Sequence, residues 1–114
     1  MSTPAERLQA IHDSFSKAYA RRLKDWKDAK SQAEADAVSR NLNRLEETYL
    51  RAAKQALDAN GAAVEAAYED AKSAQKIVDE AYQEAKKLPE RIRLVSGIAT
   101  SIADLLRKAG KVAG

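Results

Sequence analysis

Residues 64–88 read VEAAYEDAKSAQKIVDEAYQEAKKL, and the apolar positions Val64, Ala67, Ala71, Ala74, Val78, Ala81, Ala85 and Leu88 recur at alternating intervals of three and four. That alternation marks a heptad seam on an α-helix. Within it AYEDAK at 67–72 returns as AYQEAK at 81–86, two heptads later, which places Tyr68 and Tyr82 on nearly the same line of the helix. A seam has to be covered, and the flanking segments have the patterns to cover it.

Upstream, Val38, Leu42, Leu45, Tyr49, Ala52, Ala56 and Ala59 again alternate four and three, predicting a helix over about 32–59. Ser31 and Glu34 have the spacing of a capping box for its start. Asn60-Gly61 punctuates the two seams, because both residues accept the left-handed conformation that closes helix C-termini. The expected result is an antiparallel pair, about 32–59 and 62–88. One continuous helix from about 32 to 88 is the alternative, since Ala62-Ala63 offers no cap.

A first helix is expected over about 4–29. Thr3, Pro4 and Glu6 supply an N-cap, a first-turn proline and a reciprocal glutamate. Leu8, Ile11, Phe15, Tyr19, Leu23 and Trp26 are read as its apolar stripe. Leu88-Pro89 ends the third segment and opens a last helix over about 90–109, followed by a GKVAG tail expected to fray. On that last helix Ile92, Leu94, Val95, Ile98, Ile102, Leu105 and Leu106 crowd one half of the circumference. Arg93, Gly97, Thr100, Ser101, Asp104, Arg107, Lys108 and Lys111 take the other half. A face that wide requires at least two neighbours or an outside partner.

A chain of 114 residues is expected to form one helical domain, 1–114, since two cores of half that size would each be marginal. The fold class is all-α: a four-helix bundle with heptad-like packing around the central antiparallel pair. Net charge is +3, yet residues 31–88 carry eight basic against eleven acidic side chains while both ends are basic. Basic outer helices lying on an acidic central pair follow from that distribution. Without cysteine there are no disulfides and no thiolate metal sites. MSTPAERLQA has no apolar run behind a basic start, and the longest uncharged window, 94–103, is about half of the roughly 20 residues that span a bilayer. The expected location is the cytoplasm.

The side chains that enzymes use are sparse. One histidine excludes a multi-histidine metal site, and Gln9 stands where the di-iron bundle motif needs a glutamate three residues before His12. The glycines are isolated, so no phosphate-cradling loop forms. The expectation is a protein that is not an enzyme, with no catalytic residues, cofactor, metal or small-molecule substrate. His12 reads as a half-buried helix-contact histidine, and Arg22 as a packed stem whose head snorkels to solvent or meets a carboxylate such as Glu46 or Glu47. The Ala/Lys/Glu/Gln texture of residues 67–87 resembles that of phasin-type granule coats and desiccation-related helical proteins in composition, without a shared motif.

The expected function is a helical interaction or assembly module, acting on another protein or on a second copy, with Val95, Ile98, Ile102 and Leu106 as its candidate interface. The first alternative is reversible binding of a lipid or other hydrophobic surface by the same last helix. The second is accessory nucleic-acid binding through the basic residues Lys17, Arg21, Lys24, Arg40 and Arg44.

Overall fold

The structure, a computed structural model that describes residues 1–110, contains α1 (Pro4–Asp28), α2 (Gln32–Ala52), α3 (Ala62–Gln83) and α4 (Leu88–Ala109). The four helices pack on one another as a four-helix bundle, the architecture the heptad seams require. Lys111 and the expected frayed tail beyond Gly110 lie outside the described residues.

Helix starts follow local chemistry. Thr3 Oγ1 accepts the Glu6 N–H at 3.1 Å while the Glu6 carboxylate accepts the Thr3 N–H at 2.9 Å, and Pro4 opens α1. Ser31 Oγ accepts the Glu34 N–H at 3.1 Å, but the Glu34 carboxylate takes the Lys30 N–H at 2.7 Å instead of Ser31's own. Half a capping box is enough to turn the chain between α1 and α2 with no glycine.

The neighbours differ from those expected. α2 runs beside α4, with Asn41 Nδ2 donating to the Ile92 carbonyl at 3.0 Å and Arg44 Nη2 to Thr100 Oγ1 at 3.2 Å. α3 runs beside α1, with Arg7 on Glu65 at 3.1 Å and Lys17 on Asp79 at 2.8 Å. Helix directions therefore alternate along the chain. α2 and α3 do run antiparallel, yet they have no close backbone approach. The middle of the bundle belongs to α1 and α4, each of which packs on all three other helices. The two basic helices are thus innermost, because α4 has the widest apolar face and can be covered only from several sides.

This arrangement explains why α2 stops at Ala52, short of 59, and why no continuous helix joins 32 to 88. The chain has to pass beneath α1 and α4 to reach the far corner, and residues 53–61 do so as turns and irregular backbone. Leu57, 2% exposed, plugs the base of the core from this crossover. Arg7, fully buried, holds it: Nη1 donates to the carbonyls of Leu57 at 2.7 Å and Ala59 at 2.8 Å, and Nη2 donates to Glu65. Ala59 N–H reaches the last α4 carbonyl, that of Ala109, at 3.1 Å. Gly61, at φ +132°, is the N-cap of α3 and not the closure of α2.

α3 also ends early, at Gln83, in a Schellman turn. Lys86 N–H bonds the Ala81 carbonyl at 2.9 Å and Ala85 N–H bonds that of Tyr82 at 3.2 Å. Ala85, rather than a glycine, takes the left-handed position at φ +54°, so it is exposed and leaves the seam. Leu88, read as the last residue of that seam, is instead the buried first residue of α4. The core that results joins Ile11, Leu45, Leu57, Val64, Val78, Ile98, Ile102 and Leu105, with Ala67, Ala71 and Ala99 letting the backbones approach.

If Arg7 holds the crossover, Arg7→Ala lowers the unfolding free energy by about 3 kcal/mol or more in urea titration, because it strands buried carbonyls and a carboxylate. Arg7→Lys fails to restore it, since one ammonium cannot reproduce the guanidinium fork. Wild-type stability in either variant contradicts that role.

Candidate functional site

The inner line of α1 is Arg7, Ile11, Ser14, Ala18, Arg21 and Asp25, which alternates four and three; Arg7, Ile11, Ser14 and Asp25 are buried. Large apolar residues follow another track. From Ile11 through Phe15 and Tyr19 to Leu23 each step is four residues, and each such step advances about 40° round the helix, about 120° in all. The expected apolar stripe therefore winds out of the core. Ile11 is buried and Phe15 half-buried, while Tyr19 is 48%, Leu23 66% and Trp26 37% exposed.

Polar chemistry fills the place the apolar side chains vacate. Arg91 of α4, 3% exposed, donates from Nη1 to Asp25 at 3.0 Å and from Nη2 to Asp28 at 2.6 Å. Tyr82 Oη donates a short hydrogen bond to the other oxygen of Asp25. The guanidiniums of Arg21 and Arg91 lie over the Tyr82 ring, 4.2 and 4.9 Å from its centroid. Arg21 continues to Asp79 at 3.0 Å, which also takes Lys17. Arg21 Nη1 and Arg91 Nε have no hydrogen-bond partner among the described residues.

Burial raises the pKa of Asp25 against the opposing pull of the Tyr82 hydroxyl and the Arg91 charge. Tyr82 is held well above the ordinary phenol range by burial and by its bond to Asp25. At Asp79 burial also acts upward, but the bonds from Lys17, Gln75 and Arg21 outweigh it and the pKa falls. Asp28 is lowered, first by its hydrogen bond from Arg91. The network orients α1 against α3 and α4; its Asp25–Tyr82 centre is buried, while Asp28 and Lys17 at its edges reach the surface.

The outward face is organised as well. Trp26 Nε1 donates to Ser39 Oγ of α2 at 3.1 Å, and the Arg22 guanidinium lies 3.7 Å from the Tyr19 ring centroid. Phe15 stacks on Tyr49 with ring centroids 5.7 Å apart and meets Tyr19 at 6.0 Å. Tyr19, Leu23 and Trp26, spaced four and three, form an exposed row on consecutive turns.

Sequence-predicted residues fall elsewhere. Val95, Ile98, Ile102 and Leu106 are buried against the other three helices, so the expected interface is core and the lipid-binding face expected of the last helix is closed. The five-residue basic patch does not assemble. Lys17 and Arg21 pair with Asp79, Lys24 pairs with Asp28 at 3.5 Å, and Arg44 bonds Thr100 on the α4 side of α2 while Arg40 stays exposed. His12 is half-exposed and meets Tyr49 edge-on at 5.1 Å. Arg22 pairs with its own helix, donating to the Tyr19 carbonyl at 2.7 Å instead of meeting Glu46 or Glu47. Arg7 and Arg91 were not singled out from sequence, although Arg7 has the four-three spacing to Ile11 and Ser14 that marks the buried line. No helix among the described residues is long and apolar enough to cross a membrane. Comparison with known protein families, curated proteins and solved structures finds no match to this chain.

Removing the Asp25 carboxyl leaves Arg91 buried with only Asp28, so Asp25→Ala should cost about 3–5 kcal/mol. Asp25→Asn keeps an acceptor for Arg91 and a partner for Tyr82 and should cost less than half of that. Because the folded-state pKa of Asp25 is raised, the folded chain holds this proton more tightly than the unfolded one. The wild type's stability relative to Asp25→Asn is then greatest in acid and falls as pH rises through the folded pKa. Urea melts of both between about pH 3 and 7 read this slope. The opposite slope would mean that Asp25 is stabilised as the anion.

Proposed function

We propose that this protein is a non-enzymatic helical interaction module that packs a helix of a partner protein, or of a second copy, against the outward row of α1. The carrying observation is the row Tyr19, Leu23 and Trp26, three large apolar side chains left at 48%, 66% and 37% exposure on consecutive turns. A single exposed leucine needs no explanation, whereas a contiguous row flanked by polar side chains is what docking surfaces present.

The chemistry of the row supports the reading. Tyrosine and tryptophan are enriched at interface centres because they bury much area with few rotatable bonds. Here Trp26 is already tethered to Ser39 and Tyr19 is already stacked under Arg22, so less side-chain freedom remains to be lost on docking. The three-four spacing fits the knobs-into-holes packing of a partner helix. A catalytic reading has less to draw on. His12 is turned toward Tyr49, and no group of three or more His, Asp or Glu among the described residues is placed to hold a metal ion.

Leu23→Glu tests this directly. The side chain is outside the core, so the variant should unfold within about 0.5 kcal/mol of the wild type. Native size is then read by size exclusion with light scattering, on extract of the cells that make the protein and on purified material. The wild type should elute above the monomer in extract and Leu23→Glu at the monomer, a loss of about 2 kcal/mol or more if Leu23 is central. Persistence of the purified wild-type complex identifies the partner as a second copy; its absence identifies a different protein. A wild type that is monomeric in both samples, or a complex indifferent to Leu23→Glu, overturns the proposal.

A further inference from the structure

The end of the bundle that carries the α1–α2 and α3–α4 connections holds a cleft of about 340 Å³, open to solvent on one side. Its apolar side is Ala85, Leu88 and Pro89. Lys24, Lys30, Lys86 and Lys87 surround it, and the buried Arg91 also lines it. Two carboxylates, Asp28 and Glu34, lie among these cations, and both are already engaged. Asp28 takes Arg91 at 2.6 Å and Lys24 at 3.5 Å, and Glu34 takes the Lys30 backbone N–H at 2.7 Å. Lys86 pairs with Glu84 at 3.4 Å, and the ammonium groups of Lys30 and Lys87 pair with no carboxylate among the described residues.

Two further observations point the same way. α4 begins at this cleft with Lys87 as its N-cap, which provides no side-chain acceptor for the first-turn amides. Lys87 is on the unfavourable side of the helix dipole, an effect that Glu90 of the first turn, itself paired with Arg93 at 3.1 Å, offsets in part and that a bound anion would offset further. Arg91, 3% exposed, has an Nε without a hydrogen-bond partner although both its Nη atoms are used.

We propose that this cleft binds a small organic phosphate. The phosphoryl oxygens take the α4 N-terminus and the ammonium groups of Lys30 and Lys87, and an apolar body rests on Leu88 and Pro89. This site lies apart from the Tyr19, Leu23 and Trp26 row and does not depend on what that row binds.

Phenyl phosphate is the probe, titrated into the full chain at constant ionic strength and followed by backbone amide NMR, with phenol and inorganic phosphate as controls. Saturable shifts confined to residues 86–91 and 28–31 are expected, with a dissociation constant of about 1 mM or tighter and about tenfold weaker binding of each control. The double variant Lys30→Gln, Lys87→Gln, with an unchanged circular dichroism melt, weakens phenyl phosphate at least about tenfold. Shifts spread over lysines generally, shifts unaffected by the double variant, or no saturation by about 10 mM overturn the site. A chain that ignores phenyl phosphate but sediments with phosphatidylcholine vesicles containing phosphatidic acid would place the phosphate on a lipid surface and also overturn the soluble ligand.

Discussion

Arg91 carries a positive charge into a position 3% exposed, and the geometry of the upper half of the bundle is set by what has to surround it. Desolvating a guanidinium costs several kcal/mol unless carboxylates and further acceptors meet it. Asp25 and Asp28 meet it from α1, and Tyr82 of α3 completes Asp25. For these groups to converge, α1 must turn the line of Ser14, Arg21 and Asp25 inward. Tyr19, Leu23 and Trp26 are then carried outward by helix geometry alone. The exposed row and the buried ion network are one event seen from two sides of α1.

A second buried arginine does comparable work at the other end. Arg7 gathers Ser2, Leu57, Ala59 and Glu65 where the crossover passes beneath the bundle. Between the two arginines lies an apolar core rich in alanine, whose small side chains define close packing but not a unique rotation of each helix. Hydrogen-bonded charges at each end remove that freedom, because a rotated α1 would carry Arg7 away from the crossover carbonyls and leave Arg91 buried without its carboxylates. In this bundle the arginines select one arrangement; stability comes mainly from the apolar faces of α3 and α4.

How much of this was legible beforehand can be argued residue by residue. The helix starts at Thr3 and Ser31 and the wide apolar face of the last helix were readable, because caps and periodicity are local. The pairing was not. A heptad seam states that a helix is covered, but α2 and α3 carry seams that fit any apolar neighbour, and both found α4 instead of each other. The early end of α2 followed from that pairing, since only a crossover to the far corner requires irregular backbone at 53–61. The outward drift of the α1 row was in principle countable, because three successive four-residue steps cannot stay on one face. Arg7 and Arg91 were not singled out, and their long-range partners lie fifty or more residues away in the chain. The candidate interface on the last helix failed for a related reason: a wide apolar face shows how much must be covered and not whether the same chain covers it.

The central claim is the rotation of α1, and the absence of cysteine allows it to be measured with one thiol at a time. Ser14→Cys and Leu23→Cys each introduce a single thiol, the first on the inner line, where Ser14 is 2% exposed, and the second on the outer row, where Leu23 is 66% exposed. Labelling rates with a thiol reagent under native conditions, each divided by the rate in denaturant, read the two exposures directly. The account predicts that Leu23→Cys reacts almost as fast folded as unfolded and that Ser14→Cys is slowed by orders of magnitude. Protection at position 23 in a monomer, with free reaction at position 14, would mean that α1 is turned the other way and that the exposed row and the buried network are both misassigned.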